Sequence, residues 1–398
     1  MSDTHGAGLD LLADTEDQAS LRALAREVAD RDLAPMAAHW DETGEYPHKS
    51  QAALAQAGLL GIAVPEEYGG AGLSQVEVTI VLEELARACV SSAIVAQLAL
   101  NGPPRGIGHL GSDAMKQRWL PGVAAGDVTF SIGITEAEAG SAVPKMRAKL
   151  EADGDGYRLT AYKNYSTQGH VANATLVWAR FPNGEIGAVV VDLASEGVGV
   201  AGTHKNMGLH GSTEAELTFD NVRVEPEDVF LEGSPESFKT LLFHLNHERL
   251  GNAAMCIGAS QGALEFATKY IRERASGSRR LADLQGLQWK VADMAMELES
   301  ARLLVYRAAH LAGPHGTPPP VECAMAKTKA NLTAKMVCDE AMQMLGGYGY
   351  SREFPVERTY RDIRGLSYGG GTVEVLRNLV GGRIANGDAP SGPAWRNR

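Results

Sequence analysis

The sequence is short of positive charge and of long apolar runs. It has 37 Lys and Arg against 49 Asp and Glu, which gives a formal net charge of -12. Nucleic acids and anionic membrane surfaces attract clustered basic residues, so this balance argues against either one as the main partner. No segment approaches the roughly 18 consecutive apolar residues that a bilayer-spanning helix needs. We therefore expect neither nucleic-acid binding nor membrane insertion.

Cysteine is also scarce, and its distribution suggests no metal or disulfide framework. The four cysteines are Cys89, Cys256, Cys323 and Cys338. They are scattered among Ala, Met, Val and Leu without paired spacing, so we interpret them as reduced core residues and predict no metal site. The N-terminus is acidic and has no apolar run, so a secretory signal is not predicted. We expect a cytoplasmic protein.

Three regions of different character divide the 398 residues. From about residue 14 to 126, Ala, Leu, Glu and Arg dominate and apolar residues recur at helical spacing. From about 128 to 230, short β-branched runs alternate with turns such as DGDG and PNGE. Helical character then returns. We predict a mainly α chain with a central β domain, a sandwich or barrel: residues 1–126 helical, 127–235 β, 236–385 helical and 386–398 a tail.

Glycines and small hydroxyls cluster in three segments at the ends of predicted strands or helices. These segments are ITEAEAGSA (134–142), KNYSTQGH (163–170) and QMLGGYGY (343–350). Backbone N–H groups and small hydroxyls in such loops can approach a polar ring edge or a diphosphate closely. Four arginines at 272, 274, 279 and 280 form a charge run, which is a common feature of solvated helix ends but also suits phosphate in an acidic protein.

These segments resemble motifs of the acyl-CoA dehydrogenase family. The stretch MGLHGSTEAELTFDNVRV (207–224) is close to the family's sequence at the end of its β domain, and Arg274, Leu281 and Gln285 keep the spacing of a family motif. The resemblance covers nearly the whole chain. There are departures: the first loop lacks the usual Pro, Gly and Asp, Tyr165 replaces Trp, and Gly277 and Ser278 replace Phe and Gly.

The resemblance implies a fold, a cofactor and partners. The fold is an N-terminal helical domain, a β sandwich or barrel, and a C-terminal four-helix bundle. FAD is the implied cofactor, and an acyl thioester of CoA or of a carrier protein is the implied substrate. An electron-transfer flavoprotein is the implied electron acceptor, and a tetramer or dimer is the implied assembly.

Residue by residue, the resemblance assigns two groups of binding positions. Those implied for FAD are Ile132, Ile134, Thr135, Gly140, Ser141, Tyr165, Ser166, Thr167, Arg274, Gln285, Gln343, Gly346, Gly347, Thr372 and Glu374. Those implied for the substrate are Ser141, Asn246, Arg249 and Gly371.

The catalytic carboxylate of most family members is missing. In the segment YRDIRGLSYGGGT (360–372) the matching position is Gly370. A minority of the family supplies the base from the first long helix after the β domain, and Glu248 occupies that position. Glu248 also lies on a largely apolar helical stripe, where partial desolvation would raise its pKa towards the range of a general base. That stripe comprises Leu241, Leu245, Glu248, Asn252 and Met255. We predict Glu248 as the α-proton base; the alternative is ordinary pairing with Arg249 or His247.

Two further hypotheses stay open. One is an enzyme of the same fold and cofactor without α-proton abstraction, of the flavin monooxygenase or desulfinase type, which would explain Gly370 directly. The other is a non-catalytic flavoprotein, favoured weakly by the altered first loop. Reduction of bound flavin by an acyl-CoA panel separates these three.

Overall fold

A computed structural model describes residues 12–387 of the chain. The predicted tail, 386–398, falls outside the described residues apart from its first two positions. Within the described range, helices precede and follow a single block of strands. The predicted order of a helical, a β and a second helical unit is therefore confirmed.

From residue 12 onward, the described part of the N-terminal unit contains seven α-helices. They are α1 (Glu16–Val28), α2 (Ala37–Thr43), α3 (His48–Gln56), α4 (Gln75–Ala88), α5 (Val90–Asn101), α6 (Pro103–Leu110) and α7 (Asp113–Ala125). Two of them begin at capping boxes, in which a Ser or Thr hydroxyl and a Gln or Glu side chain satisfy free N–H groups at the helix start. Thr15 and Gln18 form the first, and Ser74 and Glu77 the second.

The β unit is one eight-stranded sheet. Its strands are β1 (Phe130–Gly133), β2 (Lys149–Asp153), β3 (Gly156–Thr167), β4 (Ala174–Arg180), β5 (Ile186–Asp192), β6 (Val198–Thr203), β7 (Glu214–Val224) and β8 (Val229–Leu231). The order is β6-β7-β3-β2-β4-β5-β8, and β1 pairs with β4 in parallel. Alternate residues of β4 face opposite sides. Leu176 and Trp178 pack in a core shared with the N-terminal helices, whereas Val177 and Ala179 belong to a core inside the β unit.

The C-terminal unit has three long helices and two shorter ones. They are α8 (Pro235–Glu273), α9 (Gln285–Leu311), α10 (Pro320–Leu345), α11 (Pro355–Leu366) and α12 (Val373–Ala385), with a small hairpin of β9 (Ala275–Ser276) and β10 (Arg279–Arg280) after α8. Helix α8 packs against α4 and α10, so one hydrophobic core joins the two helical units. A Cβ at Gly258 would lie 2.1 Å from the backbone oxygen of Glu83, so this close approach of α8 to α4 requires glycine.

The structure also gives the state of the cysteines and the apolar character of the helices. All four cysteines are free and buried, as predicted. None of the helices within residues 12–387 has both the length and the apolar character that crossing a membrane demands.

Candidate active site

The two β-domain loops implied for flavin binding lie side by side. The backbone N–H of Asn164 donates to the Thr135 carbonyl at 2.9 Å, and the Ser131 hydroxyl donates to the Thr167 carbonyl at 2.9 Å. The buried Lys163 ammonium pairs with Glu136 at 2.8 Å. These bonds hold the ends of β1 and β3 together, so segments 27 residues or more apart in sequence form one surface.

This surface has features that fit a flavin ring. The Ser166 hydroxyl is buried and has no hydrogen-bond partner among the described residues. Such a group costs free energy unless a ligand satisfies it. Tyr165 is 56% exposed at a backbone φ of +48° and stacks on His204 with ring centroids 4.3 Å apart. Ile132 and Ile134 are partly buried against the adjoining core.

The second half of the 134–142 segment has open space around it. Gly140 and Ser141 are exposed, and a Cβ built at Gly140 would meet no atom within 4 Å. The loop can therefore take a ligand against its backbone without a rearrangement of neighbouring residues. No contact in the structure connects Ser141 to the other residues implied for the substrate.

The C-terminal residues implied for FAD form a second, exposed group. The Arg274 guanidinium lies 5.6 Å from the centre of the Tyr348 ring, beside the turn Gly346–Tyr350. Gln343, Gly346 and Gly347 are exposed, and a Cβ on either glycine would meet nothing within 4 Å. A cation next to open backbone suits a phosphate group. Gln285 is exposed at the first position of α9.

Glu248 lies on α8 in a strongly desolvating environment. Burial raises the pKa of its carboxyl group to about 7, and the positive charge of Arg249 only partly opposes this shift. Within the described residues, its carboxylate forms no hydrogen bond or ion pair. The apolar stripe predicted for α8 is present, since Leu241, Asn252 and Met255 are all buried. A carboxylate with a pKa near 7 and free oxygens has the properties of a general base at neutral pH.

Arg249 connects Glu248's helix to the glycine run 369–371. Its Nε donates to the Gly370 carbonyl at 2.8 Å, and its Nη1 donates to Asn246 Oδ1 at 2.9 Å. The Asn246 amide nitrogen is buried and has no acceptor in the described part of the chain. Asn246, Arg249 and the backbone of Gly370 therefore lie together.

Gly370 is poorly suited to carry the carboxylate that most family members place there. Its backbone φ is +70°, a left-handed conformation that L side chains rarely adopt. A Cβ there would make only an ordinary contact, 3.4 Å from Arg249 Cγ, so the backbone conformation and not crowding disfavours a side chain. Thr372 caps α12, and Glu374 is exposed in its first turn. Both follow the glycine run in sequence.

Sequence reasoning missed Lys327 on α10. This ammonium is fully buried and donates to the Leu366 and Gly371 carbonyls at 3.3 and 3.1 Å and to Asn331 Oδ1 at 3.0 Å. Burial lowers the pKa of Lys327 to about 8. Lys327 and Arg249 thus hold the glycine run from two sides. The only signal in the sequence was a lysine at a core position of an alanine-rich helix.

A buried chain of hydrogen bonds behind Glu248 was also missed. The His247 ring donates through Nδ1 to Gln75 Oε1 at 2.7 Å, because an amide oxygen can only accept. The bonds continue from Gln75 to Asn101 at 3.1 Å, from Asn101 to Gln97 at 3.0 Å, and from Gln97 to the Glu248 carbonyl at 3.1 Å. This series of hydrogen bonds begins at His247 and ends at the carbonyl of Glu248, which are adjacent residues of α8. It therefore holds the backbone at Glu248 in place.

Gly251 allows the hydrogen-bonded side chains of Gln97 and Asn101 to pack closely against α8. A Cβ at Gly251 would lie 1.9 Å from Gln97 Oε1 and 2.3 Å from Asn101 Nδ2, so the two amides occupy the space a side chain would need. These contacts bridge positions about 150 residues apart. Local sequence patterns cannot predict them.

Comparison with known proteins defines the family. Sequence profiles described as "Acyl-CoA dehydrogenase, N-terminal domain", "middle domain" and "C-terminal domain" match residues 15–127, 131–222 and 238–385. Together they cover most of the chain. The chain therefore belongs to the acyl-CoA dehydrogenase family, whose members are FAD-dependent oxidoreductases acting on CH–CH bonds.

Individual relatives are similar over almost their whole length. A 3-sulfinopropanoyl-CoA desulfinase of Paraburkholderia xenovorans is 36% identical over 93% of this chain and 96% of its own length. A short-chain specific acyl-CoA dehydrogenase of Clostridium acetobutylicum is 32% identical over 93% of this chain and 98% of its own. The solved butyryl-CoA dehydrogenase of Megasphaera elsdenii superposes with a TM-score of 0.89 at 31% identity, covering 94% and 99% of the two chains. Like its family, this protein is an FAD-dependent dehydrogenase of acyl thioesters.

Proposed function

We propose that Glu248 is the base that removes the α proton of the acyl thioester, in place of the carboxylate absent at Gly370. The proton passes from the substrate α carbon to a Glu248 carboxylate oxygen. FAD, when bound, supplies the acceptor for the hydride that leaves the β carbon. The observation that supports this proposal most strongly is the raised pKa of Glu248, about 7, on a carboxylate without partners among the described residues.

The other nearby carboxylate is a poorer base. Glu374 is exposed, and hydrogen bonds from its own backbone N–H and from Thr372 hold the pKa of its carboxyl group below the ordinary value. A low pKa reduces the driving force for accepting a carbon-bound proton. Glu248 therefore has the better environment.

The residues around Glu248 have separate supporting roles in this proposal. The Asn246 amide nitrogen, buried and without an acceptor, offers a hydrogen bond to the substrate. Arg249 and Lys327 bond to the carbonyls of Gly370 and Gly371 and keep the glycine run in its left-handed conformation. That run leaves free the space that a glutamate side chain would fill, and we propose that part of the acyl group occupies it.

We propose that the FAD residues act as the resemblance implies. Thr135, Tyr165, Ser166 and Thr167 would hold the ring, and Ser166 has the buried hydroxyl that such a ligand would satisfy. Arg274 and the open glycines Gly346 and Gly347 would hold the diphosphate. The set is completed by Ile132, Ile134, Gly140, Ser141, Gln285, Gln343, Thr372 and Glu374.

An anaerobic acyl-CoA panel tests this function. We expect yellow protein with non-covalent FAD, and bleaching of the flavin by butanoyl-CoA, isovaleryl-CoA, octanoyl-CoA or a carrier-bound analogue, with one 2-enoyl thioester formed per flavin reduced. Reduction only by an external reductant would favour the monooxygenase type. Release of sulfite from 3-sulfinopropanoyl-CoA without bleaching would favour the desulfinase type, a candidate because a relative bears that name. A folded protein that cannot be reconstituted with FAD would contradict the cofactor assignment.

Arg274→Ala should weaken FAD retention. A charge-assisted hydrogen bond to phosphate is typically worth about 1.5–3 kcal/mol, or roughly 10- to 150-fold in affinity. Equilibrium dialysis of FAD against the apoprotein measures the change. Arg272→Ala, which removes an exposed charge in the last turn of α8, is the matched control. Equal retention in both variants would mean that Arg274 is only a solvated helix charge.

We also propose a homo-oligomer with an electron-transfer flavoprotein as acceptor. On α9, Trp289, Met296 and Leu303 recur every seven residues and are 61%, 61% and 42% exposed. A repeated apolar stripe of this kind is suited to packing against another chain. Light scattering of the FAD-loaded protein distinguishes the expected dimer or tetramer from a monomer.

A further inference from the structure

A cluster of one arginine and three histidines lies where α6 and α8 approach each other, outside the residues assigned to FAD and the acyl thioester. It contains Arg105 and His109 from α6 and His244 and His247 from α8. The ring centres of His109 lie 5.5 Å from His244 and 5.3 Å from His247. We call these four residues the Arg105 crevice. The protein as a whole is acidic, with a net charge of -12, and burial lowers the pKa of all three histidines, so the positive charge of this group lies on Arg105 and requires an explanation.

Arg105 is the unusual member. It is 5% exposed, and no carboxylate within residues 12–387 forms an ion pair with it. Its Nη1 makes two long hydrogen bonds, to the Ala63 carbonyl at 3.4 Å and the Leu73 carbonyl at 3.3 Å. Its Nε is buried and has no acceptor in the described part of the chain. Burial lowers the pKa of Arg105 to about 10, so it still bears its charge at neutral pH.

A buried guanidinium without an ion-pair partner is costly, because its loss of solvation is offset only by hydrogen bonds. Here the two backbone carbonyls engage only Nη1, and neither Nε nor Nη2 has a hydrogen-bond partner among residues 12–387. That edge presents two parallel N–H groups, the arrangement that binds a carboxylate or a phosphate oxygen pair in a bidentate manner. The geometry of the guanidinium is therefore suited to an oxyanion.

The histidines extend the same site. His244 Nδ1 is buried and has no hydrogen-bond partner within the described residues. The rings of His109 and His244 retain some contact with solvent, so the crevice opens on their side. The positive charge of Arg105 acts on all three imidazoles. An anion beside Arg105 would accept hydrogen bonds from the His109 and His244 rings.

A metal ion is a poorer occupant. One ligand atom from each of the three histidines lies within 4.8 Å of the others, which resembles a metal site. However, the fixed charge of Arg105 repels a cation, and both nitrogens of His247 already have partners, Gln75 at 2.7 Å and Thr317 at 3.1 Å. An anion is attracted by the same charge that repels a metal.

We propose that the Arg105 crevice is a binding site for a carboxylate-type oxyanion, held by the free edge of Arg105 with His109 and His244 at its side. Two sources of this chemistry are possible, a free small carboxylate and a carboxylate on the acyl group of the substrate. The first source is independent of the proposed function. The second rests on it, because the ligand is then an acyl thioester.

Thermal unfolding of the FAD-loaded protein in acetate tests the first source. A ligand that binds only the folded state raises the melting temperature with its concentration. We expect acetate, compared with chloride at equal ionic strength, to stabilise the wild type, and Arg105→Met to require at least about tenfold more acetate for the same shift. Arg105→Lys keeps the charge but loses the paired N–H edge and should be intermediate. Arg118→Met, which removes an exposed arginine of α7, is the matched control and should respond like the wild type.

The stability of Arg105→Met without acetate separates this proposal from a structural role. If Arg105 served only to hold the Ala63 and Leu73 carbonyls, the variant would be less stable in every buffer and its response to acetate would equal that of the wild type. If an anion is the missing partner, removal of an uncompensated charge leaves the variant at least as stable in chloride.

The second source is tested by comparing succinyl-CoA with butanoyl-CoA. Binding is followed by the change in flavin absorbance in the wild type and in Arg105→Lys. Tighter binding of succinyl-CoA that disappears in Arg105→Lys assigns the site to the acyl group, and an acetate effect alone assigns it to a free carboxylate. The proposal is overturned if neither acetate nor the terminal carboxylate distinguishes the wild type from the Arg105 variants, whatever the outcome for Glu248.

Discussion

Glu248→Gln is expected to lower the rate of flavin reduction by an acyl thioester by about 10²- to 10⁴-fold, the typical contribution of a positioned general base. The amide matches the carboxylate in shape but cannot accept the proton. Since the Glu248 carboxylate has no hydrogen-bond partner among the described residues, the replacement breaks no observed bond. Stopped-flow absorbance under anaerobic conditions measures the rate directly.

Three further readouts keep this result specific. FAD content and thioester binding should be unchanged in Glu248→Gln. In the control variant Glu265→Gln, on the exposed part of α8, the flavin should be reduced at the normal rate.

The pH dependence of stability supplies the third readout. Because the pKa of Glu248 is raised to about 7, its contribution to stability is present at low pH and is lost as pH rises through 7. The stability of Glu248→Gln relative to the wild type should therefore increase from pH 6 to pH 8.5.

Arg361→Met is expected to destabilise the protein by about 3 kcal/mol or more, because it leaves buried carboxylates without their main partner. Arg361 donates to both oxygens of Asp41, at 2.8 and 2.6 Å, and to both oxygens of Glu357, at 2.7 and 2.9 Å. Asp41 lies in the N-terminal unit and also contacts His210 of the β unit at 3.0 Å. One arginine thus links three parts of the chain. Urea unfolding of the FAD-loaded protein measures the effect.

The control and the pH dependence follow from the same contacts. Arg364→Met removes an arginine from the same helix whose side chain, in the described structure, bonds only to Tyr368, just past the end of that helix, so it should cost little. Burial alone would raise the pKa of Asp41, but Arg361, together with His210 and Arg352, more than offsets this and lowers it below 3.8. A lowered carboxyl pKa gives stability that is lost as pH falls. The difference between the wild type and Arg361→Met should therefore shrink below about pH 4; an unchanged difference would contradict the role of Asp41.

The order of helices and strands could be predicted because it depends on local periodicity and turn residues. The capping boxes of α1 and α4 and the glycines of the 343–350 segment are local signals of this kind. Glu248 was found by resemblance combined with the loss of the carboxylate at Gly370. The apolar stripe of α8 independently indicated partial burial, and the raised pKa agrees with it.

The supporting residues could not be predicted because they act across long distances in sequence. Lys327 reaches the Gly371 carbonyl 44 residues away, and His247 reaches Gln75 across 172 residues. Arg105 offered no signal either, since one arginine in a short helix looks like a surface residue. Only the fold reveals that it is buried and unpaired.

The pH dependence of flavin reduction tests the central role of Glu248 most directly. Rates measured anaerobically from pH 5.5 to 9 with the best thioester of the panel should rise with pH in the wild type, with an apparent pKa near 7, and level off above it, because only the ionised carboxylate accepts the α proton. The small residual rate of Glu248→Gln should show no such rise. Equal rates, or the same pH profile in both proteins, would contradict the assignment of Glu248 as the base.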